Sequence, residues 1–270
     1  MVPRFAAVMA VLAATAGTVA AQPPSAQPPT PPIAPVTGDP RYPVSLADRP
    51  LVLPAGVVTI HGELHHHSLA FDGKTFTQTS SPWTLAAGLG TVELRAGGVV
   101  HVAASPGDDE QSRLLAANIG ALGRLSSHVA AGVTGHFDLN DDAYEHMTLT
   151  GSAVGRRRMS PTIATQLQLD FNYGRTKTPH DDVLGRLELV ISGRSIVQLS
   201  PIVAARFDMG LAVLVADNFD APRGPVASLD GALVYTSRRV DAFVGVTVRT
   251  GDEYTRGDRT LYVGFTGRLQ

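Results

Sequence analysis

The stretch VVTIHGELHHHS, residues 57–68, carries the side chains of this chain that are best suited to chemistry. On a β-strand, His61, His65 and His67 would share one face with Glu63, because successive side chains point to opposite sides. Positions two apart on a strand are ~7 Å from each other, which lets imidazoles and a carboxylate chelate zinc, copper or nickel. The alternative is that these residues are only the polar face of the strand.

Charged residues of opposite sign recur two positions apart at three further places. These pairs are Glu93 with Arg95, Arg186 with Glu188, and Arg206 with Asp208. Such pairs can line a water-filled passage, or they can form salt bridges that fill it. The polar positions predicted to face one interior are Glu63, Glu93, Arg95, His101, His136, Asp138, Asp170, Arg186, Glu188, Arg206, Asp208 and Arg249.

Composition excludes several classes of function. The chain has 270 residues, a formal net charge of −2 and no cysteine. The charge provides no basic excess for nucleic acid, and the lack of cysteine excludes disulfides, thiolate metal sites and cysteine nucleophiles. The sequence contains no glycine-rich phosphate loop, His-Glu-x-x-His motif or EF-hand spacing. No cofactor and no nucleic-acid partner are therefore predicted.

The N-terminal region predicts export. Residues 1–21 have the order of a secretory signal peptide, with Arg4 before an Ala/Val-rich stretch and small residues at Ala20 and Ala21. The apolar run is shorter than the ~20 residues that a membrane-spanning helix needs. Residues 22–50 begin with QPPSAQPPTPPIAP and are interpreted as an extended proline-rich linker, either a solvated spacer or a ligand for a partner.

From residue 51 onward, the pattern predicts about twelve β-strands and no long helix, because short alternating runs are separated by turn residues. Long connections such as SPGDDEQS and GRTKTPHDDVL alternate with short ones such as GT, RLSS and RRRMS. The last of these, residues 156–160, is predicted to follow a strand over residues 144–155. The stretch AFDGKTFTQTSSP, residues 70–82, is predicted to be a long loop. The tripeptide GRS, residues 193–195, is predicted to be a tight turn between strands 185–192 and 196–214.

The predicted strands have one apolar and one polar face. In the eleventh strand the two faces are Val240, Ala242, Val244, Val246 and Val248 against Asp241, Thr247 and Arg249. A soluble β-sandwich would also alternate, with its apolar face inside. The final segment RTLYVGFTGRLQ alternates in the same way up to Gln270.

This final segment resembles the C-terminal signal that outer-membrane proteins present to their assembly machinery, although that signal usually ends on an aromatic residue. Together with the strand meander, it makes the chain similar to the bacterial outer-membrane β-barrel class. The resemblance implies that residues 51–270 form an all-β, antiparallel up-and-down transmembrane β-barrel of about 12 strands. It also implies an outer-membrane location and contact with outer-membrane lipid and the assembly machinery.

The resemblance implies a narrow passive pore for small hydrophilic solutes and no enzyme activity. The alternative is a closed structural or interaction barrel whose proline-rich segment reaches a periplasmic partner. A third hypothesis is lipid hydrolysis at the barrel wall, because His66 and Ser68 have the His-x-Ser spacing of outer-membrane phospholipases. The Ser-Asn-Gly sequence that accompanies that pair does not follow here.

Overall fold

Twelve antiparallel strands, each hydrogen-bonded to its neighbours in the sequence, close into a barrel where the last strand pairs with the first. The computed structural model describes residues 42–71, 74–105, 114–138, 145–177, 183–217, 224–251 and 258–269. The strands are β1 (Val58–Phe71), β2 (Lys74–Gly88), β3 (Val92–Ser105), β4 (Leu114–Arg124), β5 (Val129–Asp138), β6 (Glu145–Arg158), β7 (Ile163–Lys177), β8 (Val183–Ser200), β9 (Val203–Asp217), β10 (Val226–Tyr235), β11 (Val240–Thr250) and β12 (Asp258–Leu269).

The outer surface of the barrel is apolar. Large hydrophobic side chains exposed on it include Ile60, Leu64, Leu94, Val133, Leu149, Leu167, Phe171, Phe207, Leu233, Val244 and Val263. Closure satisfies the backbone N–H and C=O groups between strands and leaves no open sheet edge, which is what hydrocarbon requires of a spanning sheet. The predicted all-β, up-and-down barrel of about twelve strands is confirmed. No helix among the described residues is long and apolar enough to cross a membrane.

One end of the barrel, here called the tight-turn end, carries five short connections at residues 89–91, 125–128, 159–162, 201–202 and 236–239. Gly90 in the first of them has φ +96°, a conformation that glycine adopts without steric cost. The first and last strands also have their outer termini here, because Val58 is paired with Leu269. The chain therefore enters and leaves the barrel at the tight-turn end.

The predicted turn at residues 193–195 is wrong. Strand β8 continues through these residues to Ser200, and the chain reverses at Pro201 and Ile202. Arg194 lies opposite Asp208 of β9, so its side chain is an inward position of a continuous strand and not a turn residue. Proline fits the observed turn because it has no N–H to donate and a fixed φ.

The long loop predicted for residues 70–82 is also wrong. Strand β1 extends to Phe71 and strand β2 begins at Lys74, with these two residues paired across the hairpin. The run of threonine and serine in the stretch is compatible with a strand, since β-branched threonine favours extended backbone. A long polar stretch here is therefore part of the barrel wall.

The boundary of the predicted linker differs as well. Residues 42–53, most of which the sequence analysis assigned to the linker, lie in the barrel interior and include a 3₁₀ turn, Leu46–Asp48. Tyr42, Ala47, Arg49, Val52 and Leu53 are all buried. This stretch, here called the inserted segment, carries apolar residues between its prolines and so buries surface that a solvated spacer would not. Residues 1–41 lie outside the described residues.

Candidate functional site in the barrel interior

The inserted segment is held by apolar contacts on several sides of the barrel wall. Val52 packs with Leu122, Ala130 and Val154 of β4, β5 and β6. Ala47 packs with Ala164 and Ile196 of β7 and β8. Leu46 also packs against a cluster of Ala232, Val234, Phe243 and Tyr262 from β10 to β12, and Tyr42 and Leu53 cluster with Val57 and Ala86. The segment therefore crosses the interior at the tight-turn end.

A buried charge cluster fixes the same segment. The carboxylate of Asp241 accepts hydrogen bonds from the guanidinium groups of both Arg49 and Arg268, including one from Arg49 Nη2 to Oδ1 of 2.7 Å. The side chains of all three residues are almost completely buried. Two cations share one anion here, so the cluster keeps one positive charge in excess.

Tyr42 completes this cluster. Its ring lies under both guanidinium groups, with the Arg268 and Arg49 Cζ atoms 4.9 and 5.5 Å from the ring centroid. Contacts of this kind attract a cation to the negative face of the ring. Burial raises the pKa of the Tyr42 hydroxyl above its usual value, so the hydroxyl stays protonated at neutral pH.

Backbone groups of the inserted segment are satisfied by side chains of the wall. The N–H of Leu53 donates to Glu93 Oε2 at 2.8 Å, and the N–H of Leu46 donates to Gln198 Oε1 at 3.0 Å. The carbonyl of Arg49 accepts a hydrogen bond from Arg156 Nη1. These bonds replace the hydrogen bonds to water that the backbone would make in solution, so they fix the position of the segment in the barrel.

The interior wall formed by β9 to β12 and β1, here called the crowded side, is filled with large side chains. Asp230 accepts hydrogen bonds from the Tyr262 hydroxyl at 2.8 Å, from Thr247 at 2.6 Å and from Arg206 Nη2 at 3.2 Å. Asp208 lies 3.4 Å from Arg206 Nε and accepts two bonds of 2.8 Å from Arg194. Asp208 and Asp230 are therefore both bound to guanidinium groups of the protein itself.

Two glycines make room for aromatic rings on the crowded side. Tyr262 is paired with Gly245, and Phe243 is paired with Gly264, across β11 and β12. A Cβ added to Gly245 would lie 2.4 Å from the Tyr262 ring, and one added to Gly264 would lie 2.5 Å from the Phe243 ring. The rings thus lie flat over backbone and fill this part of the lumen.

The histidine-rich stretch of β1 lies on the same side. The carboxylate of Glu63 is flanked by His61 Nε2 at 2.7 Å and by His65 Nε2, while His67 Nδ1 lies 2.8 Å from the hydroxyl of Thr260. The His61 ring stacks on Phe243. Within the described ranges, no group of three or more histidine, aspartate or glutamate side chains is arranged to hold a metal ion. The alternative weighed for this stretch, a polar face of the strand, matches these contacts.

The wall formed by β4 to β7, here called the open side, has small inward residues. Gly120, Gly132, Thr134 and Ser152 face the interior between larger side chains, and a cavity of about 240 Å³ lies against this wall. Strands β4 and β5 also lie close together here, since a Cβ added to Gly132 would lie 2.4 Å from the Ala121 carbonyl oxygen. No aromatic ring covers these glycines in the described structure, so the lumen stays empty beside them.

The cavity on the open side continues past the inserted segment. A second cavity of about 340 Å³ lies beside the segment and shares five lining residues with the first. The shared residues are Pro50, Leu51, Arg95, Arg156 and Arg194. The two cavities therefore adjoin each other beside the inserted segment.

The structure places the sequence-predicted interior residues on inward positions of the strands, and many of them contact one another. Glu93 is bonded to Arg95 at 2.5 Å, Arg186 to Glu188 at 2.7 Å, and Arg249 lies 3.8 Å from Asp258. Asp170 accepts hydrogen bonds of 2.8 and 3.0 Å from Gln168. The remaining predicted residues are His101, which is buried beside β2, His136, which lies opposite Asn118, and Asp138, which is exposed at the end of β5.

The pair considered for lipid hydrolysis lies on the outer face. His66 is exposed, and its Nδ1 is 3.1 Å from the hydroxyl of Thr79 on β2. The imidazole is thus directed across the strand pair towards β2. A nucleophilic serine needs a base within hydrogen-bond reach, and the described contacts of His66 are with Thr79 and not with Ser68.

Sequence reasoning missed several interior residues. Arg156 and Arg194 were assigned to turns, and Asp230 and Tyr262 were not recognised as one network with Arg206. The signal for Arg156 was available, since it continues the alternation of Ser152 and Val154 beyond the predicted strand end at Gly155. The inserted segment had no periodic signal, because irregular backbone has no fixed repeat.

Comparison with known proteins identifies the fold and nothing narrower. No protein-family model and no curated protein matches the chain. The NanC porin structure matches with a TM-score of 0.54 at 9% identity, covering 78% of this chain and 100% of the porin. The β domain of the Bordetella autotransporter BrkA matches with a TM-score of 0.53 at 10% identity, covering 78% and 98%. The chain therefore shares the fold of bacterial outer-membrane β-barrels.

Proposed function

We propose that this protein is an outer-membrane channel, a narrow passive pore for small hydrophilic solutes. The observation that carries the proposal is the pair of adjoining cavities along the open side and beside the inserted segment, whose lining includes many polar side chains. An apolar outer band against lipid and a polar interior are the two surfaces that such a channel needs. The NanC porin has the same fold at 9% identity and supports the channel as a class.

The orientation follows from the connections. Outer-membrane barrels carry their short turns on the periplasmic side, so the tight-turn end would face the periplasm. The inserted segment would then narrow the periplasmic mouth. The signal peptide over residues 1–21 and recognition by the assembly machinery belong to the same proposal and stay predictions.

A narrow passage is expected because the interior is only partly free. Twelve strands lie between the eight of side-chain-filled barrels and the sixteen of open porins. Within this cylinder, the inserted segment and the large side chains of the crowded side reduce the free space. We expect passage beside β4 to β7, where the inward residues are small.

The test is single-channel conductance after reconstitution into planar bilayers. Stepwise currents from the wild-type protein support the pore. A matched variant that lacks residues 42–53 should conduct more, because removing the segment widens the periplasmic mouth. If that deletion prevents folding, Arg49→Gln serves instead, since it frees the segment from Asp241 and leaves every strand intact. Heat modifiability on gels shows whether each variant is a folded barrel.

A second function is favoured by the hydrogen bonds and ion pairs that hold the inserted segment in the barrel. Its backbone bonds and its charge cluster are those of a fixed plug, which suits a closed barrel whose proline-rich tail reaches a periplasmic partner. The same experiment separates the two functions. A silent wild type together with a conducting deletion variant supports the closed barrel and contradicts the passive pore.

A further inference from the structure

We propose that the cavity on the open side is a binding site for a small organic anion, a carboxylate, and that this is the solute class the channel passes. The inference rests on the proposed channel function and deepens it. The cavity is lined by three guanidinium groups, those of Arg95, Arg156 and Arg194, and by no carboxylate. Its remaining polar side chains, from Thr134, Ser152, Gln166 and Gln168, are uncharged.

Arg156 is the centre of this site. Among the described residues, no carboxylate lies within ion-pair distance of it; its Nη1 donates to the Arg49 carbonyl and its Nη2 to Gln166 Oε1 at 3.1 Å. Its Nε is buried and has no hydrogen-bond partner among the described residues. A partly buried guanidinium without a counter-ion is costly, and a ligand carboxylate that accepted its hydrogen bonds would remove that cost.

The other two arginines differ from Arg156 in being partly neutralised. Arg95 donates through Nε to Glu93, and Arg194 donates through Nε and Nη2 to Asp208. Both guanidiniums still line the cavity and supply further N–H groups towards it. A planar guanidinium fork matches the two oxygens of a carboxylate, so the arrangement favours carboxylate over a single-atom anion.

Positive charge is concentrated at the level of the inserted segment. Arg156 adds one charge without a counter-ion among the described residues, and the cluster of Arg49, Asp241 and Arg268 adds a second. Glu188 lies towards the opposite end of β8 and is hydrogen-bonded to Arg186, while Glu63, nearer the middle of β1, is hydrogen-bonded to the imidazole of His61. Selectivity is decided where the passage is narrowest and charges are least screened, which is beside the segment.

The space also fits a small organic solute. A volume of about 240 Å³ is just below the range of ligand pockets for drug-sized molecules, roughly 300–1,000 Å³, and so suits a smaller solute. Gln166 accepts from Arg156 through its oxygen, which leaves its amide N–H₂ group to donate to a ligand. For a molecule with one carboxylate and several hydroxyl groups, the guanidinium and amide N–H groups would donate to the carboxylate. The hydroxyls of Thr134 and Ser152 would bind the ligand's hydroxyl groups.

The test measures ion selectivity and block in planar bilayers. Under a tenfold KCl gradient, the wild type should show a chloride-to-potassium permeability ratio of about 3 or more, and Arg156→Gln a ratio of about 1. Arg157→Gln is the matched control, because Arg157 is the next residue of the same strand and is exposed on the outer face. Gluconate should reduce the chloride current at least about twofold, whereas the neutral sorbitol of the same chain length should not.

The outcomes separate this inference from the channel proposal. Stepwise conductance with a ratio near 1 in the wild type overturns the anion site and leaves the channel intact, whereas the absence of any conductance overturns both. Equal loss of selectivity in Arg156→Gln and Arg157→Gln also overturns the site. If Arg156→Gln does not fold, Arg156→Lys is used to test the site, because lysine keeps the positive charge but lacks the planar guanidinium that donates two parallel hydrogen bonds. A gluconate block about fivefold weaker supports the site, and an unchanged block overturns it.

Discussion

The crowded and open sides of the barrel are built from strands of the same kind but have different interiors. On the crowded side, Tyr262 and Phe243 lie over Gly245 and Gly264, and Asp208 and Asp230 are bound by arginines. On the open side, glycine, serine and threonine face the lumen, and Arg156 has no carboxylate partner among the described residues. The difference shows that side-chain volume and charge pairing, and not strand number alone, decide where space remains in a twelve-strand barrel.

The largest expected effect comes from breaking the charge cluster of the inserted segment. Asp241→Asn leaves Arg49 and Arg268 buried without their shared anion, which typically costs about 3–5 kcal/mol. Urea unfolding of the reconstituted protein measures this loss. Asp138→Asn, at an exposed position, is the control and should change the free energy of unfolding by less than about 0.5 kcal/mol. Similar losses in the two variants would mean that the cluster does not stabilise the segment.

The second effect tests the packing of rings over glycine on the crowded side. Gly264→Ala places a Cβ 2.5 Å from the Phe243 ring, so the ring must move, at a cost of about 1–3 kcal/mol in unfolding free energy. Gly151→Ala is the matched control, because a Cβ at Gly151 meets nothing within 4 Å. An equally stable Gly264→Ala variant would contradict the close packing of this side.

The third prediction tests whether the path runs along the open side. Thr134→Trp fills the cavity and should lower single-channel conductance by roughly twofold or more, since it narrows the passage. Val133→Trp puts the same ring on the lipid face and should leave conductance unchanged. If both variants conduct like the wild type, solutes do not pass beside β5.

The smallest effect is expected at the rim of the crowded side. Arg249 is about half exposed and lies 3.8 Å from Asp258, so its ion pair is screened by water. Arg249→Gln should change the free energy of unfolding by less than about 1 kcal/mol. A larger loss in urea unfolding would show that this pair is part of the buried network.

The sequence predicted the fold well because a barrel repeats one simple pattern. Alternation of apolar and polar residues marks the outer and inner faces of each strand, and tight turns mark one end. Prediction failed at Arg194, since GRS resembles a turn when it is read alone. The continuous pairing of β8 with β9 shows that the reversal is instead at Pro201.

The interior arrangement was less accessible to sequence reasoning. Alternation shows that Arg206, Asp230 and Tyr262 point inward. Their contacts join three different strands, and Arg206 and Tyr262 are 56 residues apart in the sequence. Which carboxylate neutralises which arginine depends on strand register and side-chain direction across the barrel. Arg156 therefore could not be distinguished from its paired neighbours until all the partners were placed.

The position of the inserted segment before β1 links its docking to the completion of the cylinder. Arg268 belongs to the last strand and Arg49 precedes the first, yet both bind Asp241. The carboxylate of Asp241 therefore bridges the seam between β1 and β12, because it joins β11 both to the residues before β1 and to the last strand. Removing this carboxylate would weaken the closure of the barrel together with the attachment of the segment.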